Sequence, residues 1–250
     1  MVKKIISIRF KVWLLFFLTQ SFAQEMKHTQ ANWFSYVGQY NVSPKWGYHI
    51  EASFRLDDEL KMSNQSLFRL GGFYNLNKNA TFTIGYGLIN TFNKDLDEYF
   101  NEDRIWEQFQ LNHKWNDNKN NFTNRFRLEQ RLVDDIQLKD NVVQKVATNY
   151  QNRLRYLNRH VIHLSNFKSG NEEFYMVFQD EIFLAVGKND VKPKFFDENR
   201  FSAGIGFNYK NTVRFEIAYL NQLISSKSGS DSMNHAISLT LLQNLILYKE

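Results

Sequence analysis

The chain contains no cysteine and only two prolines in 250 residues. The first absence excludes disulfides, thiol nucleophiles, thiolate metal sites and a lipidated N-terminal cysteine. Proline, which removes ladder donors, is too rare to interrupt long extended segments. Beyond the first two dozen residues there is no apolar run long enough for a membrane helix. Gly-rich phosphate loops, His-Glu-x-x-His and Gly-x-Ser-x-Gly are absent as well, which removes the usual signatures of nucleotide, zinc and serine-hydrolase chemistry. The formal charge of +5 comes mostly from the N-terminus, where Lys3, Lys4, Arg9 and Lys11 stand with no acid before Glu25. The remainder of the chain is nearly neutral, so a nucleic-acid partner is not expected.

The same N-terminal stretch reads as a secretory leader. Its four basic residues precede a short apolar core, Val12–Leu18, and Ser21 and Ala23 are the small residues that a signal peptidase inspects. Cleavage is expected after Ala23, giving a leader over 1–23 and one domain over 24–250. The core is too short for a membrane anchor.

What the chain has in abundance is aromatic residues: 23 Phe, 12 Tyr and 5 Trp. Such residues favour half-buried pleated surfaces and lipid–water boundaries. They recur with period two, the signature of strands. Trp46, Tyr48, Ile50, Ala52, Phe54 and Leu56 alternate with polar or small residues. So do Phe82, Ile84, Tyr86 and Leu88, then Phe122, Phe126, Leu128 and Leu132, then Phe201, Ala203, Ile205, Phe207 and Tyr209, then Val213, Phe215, Ile217 and Tyr219. Weaker strands are expected near 32–40, 65–76, 103–115, 150–164, 173–186 and 234–242. Several exceed the usual five or six residues of a globular strand and reach the ten or so needed to cross a bilayer on a tilt.

Connections alternate in length. Short turns are expected at Asn75–Asn79, Asn116–Asn121 and Lys210–Asn211, and longer ones at Asp57–Asn64, Asn93–Asp103, Val133–Thr148, Gly187–Glu198 and Ser225–Ser232. Short periplasmic turns opposite longer outer loops are the pattern of outer-membrane barrels. The expected fold is therefore all-β, an antiparallel up-and-down transmembrane β-barrel. About eleven strands can be counted, and because bacterial barrels have even numbers the expectation is about 12. The short connection Asn41–Lys45 gives the first strand an unusual direction for a periplasmic N-terminus. A mean hydropathy of −0.50 does not oppose a barrel, since each strand averages an apolar face with a polar one.

Which face lies inside follows from charge type. Arg dominates strand interiors whereas Lys gathers in turns, and guanidinium forks can pair bidentately with carboxylates across a polar interior. The expected lumen-lining set is Arg55, Arg69, Arg104, Arg125, Arg127, Glu129, Arg131, Arg153, Arg155, Glu181, Arg200, Arg214 and Glu216, with Glu51 as a further acid. Such a set either packs a narrow barrel solid or presents a field favouring small anionic solutes. The alternative is an exported soluble, lipocalin-like barrel that turns its apolar faces inward around an apolar ligand.

Four segments occur in order: Glu102-Asp103-Arg104-Ile105-Trp106, Asn124-Arg125-Phe126-Arg127-Leu128-Glu129-Gln130-Arg131, Arg153-Leu154-Arg155-Tyr156 and Glu198-Asn199-Arg200-Phe201. With the early Trp33 they resemble the family called domain of unknown function 2490, over nearly the whole chain after the leader. The resemblance implies an exported, outer-membrane-like barrel and no particular reaction.

Two features carry candidate chemistry. His163 and Ser165 are two apart and so share a strand face, and the tetrapeptide His163-Leu164-Ser165-Asn166 looks like an element of outer-membrane phospholipase A. That likeness would make His163 a base and Ser165 a nucleophile in a lipid hydrolase. Asp95, Asp97, Glu98, Glu102 and Asp103 form an acidic stretch with oxygen ligands for a divalent cation; as a solvated loop it needs none. Neither an enzyme, a cofactor nor a metal ion is the expected reading. The sequence points to an integral outer-membrane barrel of structural or solute-transport class, surrounded by outer-membrane lipid.

Overall fold

The computed structural model describes residues 26–57, 60, 63–116, 119–166, 172–191, 194–226 and 230–249. The leader and its cleavage site lie outside these residues. Among the described residues eleven strands succeed one another as β1 (Lys27–Asn41), β2 (Trp46–Asp57), β3 (Ser63–Asn75), β4 (Ala80–Asn93), β5 (Glu98–Trp115), β6 (Asn120–Lys139), β7 (Val142–Asn166), β8 (Glu172–Asn189), β9 (Phe196–Tyr209), β10 (Val213–Ile224) and β11 (Ser232–Ile246). Each pairs with its neighbours in sequence, and the sheet closes on itself between β1 and β11.

The barrel has one strand fewer than the even number expected, and that number fixes the closure. Strands of a meander alternate in direction, so the first and the eleventh run the same way. β1 and β11 accordingly pair in parallel, from Lys27 opposite Ser232 to Asn41 opposite Ile246, while all other neighbours pair antiparallel. The unusual direction of β1 is thus kept: the chain enters the barrel at the rim of the longer connections. The strands are strongly tilted. Following partners from Val133 through Glu102, Ile89, Leu67, Ser53, Ser35, Thr240, Glu216, Gly206 and Tyr175 leads to His163. The His163 amide bonds Lys119 O, far below Val133 on the β6 side.

Two of the expected long connections are mostly strand. β6 and β7 run on to a two-residue turn at Asp140 and Asn141, whose φ angles of 51° and 60° are those of a type I′ hairpin turn. β5 begins at Glu98, leaving only Lys94–Asp97 between it and β4. Polar residues occupy both faces here, so hydrophobic alternation fades while backbone pairing continues.

The pleat sends large apolar side chains outward, with Phe54, Leu70, Ile84, Leu88, Ile105, Phe126, Ile205, Phe215, Ile217 and Leu239 all exposed. Aromatic residues gather toward the short-turn rim, where Trp46 meets Tyr74 edge-on, Trp115 stacks on Phe122, and Phe174 lies against Phe207. Inside, Trp106 lies flat on the wall because Gly71 and Gly85 have no side chain. A Cβ on Gly85 would stand 2.5 Å from the Trp106 ring.

Candidate functional site: the charged interior

The inward residues of β6 include Arg125, Arg127, Glu129 and Arg131, and those of β7 include Arg153, Arg155 and Arg159. Since β6 and β7 pair with Arg127 opposite Arg155 and Glu129 opposite Arg153, the two rows interleave. Like charges this close must be separated by acids, and the acids come from both near and far strands.

Glu129 is the centre. Its side chain is wholly buried and accepts hydrogen bonds from Arg153 Nη2 at 2.7 Å and Nε at 3.0 Å, Arg155 Nη1 at 2.6 Å and, from β3, Arg69 Nη2 at 3.2 Å. Arg104 and Arg127 stand at 3.8 and 3.9 Å. Glu181 of β8 takes the other side of Arg155 as a two-bond fork, at 3.0 and 2.9 Å, and accepts from Arg125 at 2.7 Å. Glu102 of β5 holds both Arg104 and Arg131, each through two guanidinium nitrogens. Glu51 pairs with Arg69 at 2.8 Å, and Asp197 with Arg153 at 3.3 Å. Glu198 holds Arg200 and accepts from Gln222 at 2.7 Å. Nearer the short-turn rim, Glu216 accepts from Arg159 and from the Tyr175 hydroxyl.

Where acids run out, rings and amides serve. Arg127 forks onto Gln108 Oε1 at 3.0 and 2.7 Å and lies over Trp106. Phe183 is fully buried and is faced by Arg153, Arg155 and Arg200. Arg55 and Arg200 both approach Trp33, at 4.0 and 5.1 Å. Cation–π contacts of this kind offset part of the desolvation of a guanidinium.

Of the thirteen residues expected in the lumen, twelve enter these contacts. Arg214 is half-buried on the same face of β10 as Glu216. Sequence reasoning missed Glu102, Asp197 and Glu198. The signal for two of them was present: in Glu102-x-Arg104 and Glu198-x-Arg200 the acid and base are two apart, hence on one face. Glu102 is therefore part of the interior rather than of an acidic loop, and its neighbour Asp103 lies on the outer face, bonded by the Tyr86 hydroxyl. Among the described residues no three His, Cys, Asp or Glu side chains form a metal-binding group.

His163 faces inward near the short-turn rim, with Nδ1 3.0 Å from Glu173 Oε1. The register shifts between it and Ser165, so that His163 stands opposite Tyr175 and Ser165 opposite Phe174. The alternation that would place the two on one face is broken there, and the side chain of Ser165 lies outside the described residues.

Chemically, the interior is a network of buried, extensively paired charges in which some groups, among them Arg55 Nε, Arg69 Nε and Arg125 Nε, have no hydrogen-bond partner. Arginine outnumbers the acids in it, yet its central members are sealed from solvent, Arg127 being 1% exposed and Glu129 0%. A groove of about 620 Å³ lies elsewhere, on the outer wall, lined by Phe34, Phe54, Phe207, Phe215, Ile217 and Leu239 among others.

A family model described as protein of unknown function (DUF2490) matches residues 30–234. No curated protein matches the chain.

Proposed function

The chain belongs to the DUF2490 family, and from its inverted polarity we propose that it is an integral outer-membrane barrel with a closed, charge-packed interior. In this reading it is a rigid membrane-embedded body rather than an open solute pore. One observation carries it: the charged residues are inside and bonded to one another, while Phe, Leu, Ile and Tyr form the outer wall. Water around such a wall would meet an apolar surface far larger than soluble monomers expose. Hydrocarbon would meet a closed sheet with no unpaired edge, which is what a bilayer demands. The lipocalin-like alternative needs the opposite facing, with an apolar pocket where the arginines stand. The leader-like N-terminus supports export, and the aromatic residues near the short-turn rim suit a membrane interface.

Closure follows from volume. Eight strands are about enough for ordinary side chains to fill a barrel; eleven enclose more, and here Arg, Glu, Gln, Trp and Phe extend to the axis to fill it. The test is planar-bilayer recording of the refolded protein, alongside carbonate extraction from vesicles. The barrel is expected to stay with the membrane and pass no steady current. Steady anion-selective conductance would instead make the arginine rows the lining of a port.

A further inference from the structure

From Trp46 to Leu56 on β2, Phe68 to Tyr74 on β3, Phe82 to Leu88 on β4, Phe201 to Tyr209 on β9 and Val213 to Tyr219 on β10, the outward positions hold no Asp, Glu, Lys, Arg, Asn or Gln. A connected group of polar residues departs from this in one sector, whereas a single Gln243 on β11 faces outward beneath the Tyr36 and Tyr40 hydroxyls that donate to it. On β6, β7 and β8 the outward residues Asn124, Asn158 and Asp180 are direct cross-strand partners, forming a polar line. Outward Glu107 stands beside it on β5, opposite Ile84 and Leu128.

These four are not at a rim. Glu107 lies between Ile105 and Phe109 along its own strand face, Asn124 between Phe122 and Phe126, and Asp180 between Phe178 and Ile182, so apolar residues flank these three above and below, while Asn158 lies between Tyr156 and His160. Within the chain, Asn124 Oδ1 accepts from Asn158 Nδ2 at 3.0 Å and the Tyr156 hydroxyl at 2.7 Å, Asp180 Oδ1 accepts from Asn199 Nδ2 at 2.8 Å, and Glu107 Oε2 accepts from Gln130 Nε2 at 3.3 Å. The Gln130 carbonyl oxygen, on the same outer face, is buried without a hydrogen-bond partner. Carboxylates and carboxamides facing hydrocarbon are strongly disfavoured, and where they persist in a membrane they mark contacts with protein.

We propose that the β5–β8 sector is the interface through which two copies of this chain associate side by side in the membrane. The inference rests on the embedded reading above. A second copy fits because the patch is self-complementary: Glu107 and Asp180 supply acceptors at its flanks, and the carboxamides of Asn124 and Asn158 supply donors between them. A two-fold axis near β6 brings the β5 carboxylate of one copy toward the β7 carboxamide of the other, which is the isologous arrangement expected of a symmetric dimer. The outer groove spanning β8 to β11 and on to β2 is almost purely apolar and suits acyl chains.

The test uses the full chain refolded in lipid vesicles, where the lack of native cysteine lets single cysteines report. Asn124→Cys on β6, beside the proposed two-fold axis, should form a disulfide-linked dimer under mild oxidation, and Ile217→Cys on the far wall should not. Joint Asn124→Leu and Asn158→Leu substitution should weaken dimerisation, read by energy transfer on dilution into excess lipid, by about tenfold or more. The heat-modifiable gel shift confirms separately that the double variant is a folded barrel. Equal cross-linking at both positions, or unaltered association of the folded double variant, overturns the interface. A protein that stays in carbonate-washed vesicles as a monomer, with Asn124→Cys open to a lipid-phase quencher, overturns it while leaving the embedded reading intact. A protein that washes off the vesicles overturns both.

Discussion

Replacing Glu129 by Gln keeps the shape of the side chain and removes one charge from the middle of the barrel. In the native protein that charge receives Arg153, Arg155 and Arg69 at 2.6–3.2 Å, with Arg104 and Arg127 within 4 Å. Two unit charges at about 4 Å attract by about 4 kcal/mol at an effective dielectric of about 20, before desolvation is subtracted. Removing one partner of a buried ion pair leaves the other charge unbalanced and costs about 3–5 kcal/mol. Gln can still accept from one guanidinium but presents its own N–H2 toward the others, so the loss is expected within that range. The comparison is Asp134→Asn at the protruding end of the β6–β7 hairpin. Its partner Lys145 is half exposed, and such a pair is worth about 0–1 kcal/mol. Urea titration of both variants folded in vesicles, read by tryptophan emission and by the gel shift, measures the difference. Adding Arg127→Met to Glu129→Gln should recover part of the loss, because Glu129 is the carboxylate that stands within 4 Å of Arg127, whose other partners are Gln108 and the Trp106 ring. If Glu129→Gln is no less stable than Asp134→Asn, the interior network is not what holds the barrel together.

Three further outcomes are expected from the same geometry. Arg155→Lys should cost about 1–3 kcal/mol in the urea assay, since an ammonium cannot hold Glu129 and both oxygens of Glu181 as the guanidinium does. Gly85→Ala should destabilise by about 1–3 kcal/mol through the clash with Trp106 and Leu70 O, whereas Gly72→Ala, with nothing within 4 Å, should be near neutral. Asn141→Val, forcing a β-branched residue to φ 60° in the hairpin turn, should lower stability by about 1–2 kcal/mol, and Asn141→Gly should not.

Much of the fold is legible in the sequence because a barrel wall writes itself there as alternation. All eleven strands can be placed, five from clear alternation of apolar residues and six from weaker patterns, and the Arg-for-Lys bias gives the facing. What stays hidden has definite physical causes. The closure is not local: nothing in β1 or β11 announces that Lys27 pairs with Ser232 in parallel, and the even-number expectation draws the count to twelve. The hairpin through Asp140 and Asn141 lies beyond the apolar wall, where alternation no longer reports pairing. Glu102 and Glu198 read as loop acids because each stands in an unbroken polar run, 101–104 in β5 and 197–200 in β9, where alternation does not show. His163 and Ser165 look like face-mates only because a register shift cannot be read from spacing.

Which face of the sheet meets lipid decides whether the barrel is embedded, and one measurement reads this directly. Fluorophores on single cysteines at Phe54, Ile205 and Ile217, all exposed, and at Ser53 and Ala218 on the opposite face, are compared in vesicles containing a bilayer-restricted quencher. Strong quenching at the first three and little at the other two is the predicted result. Equal quenching at all five, or quenching at Ser53 and Ala218 alone, would contradict it.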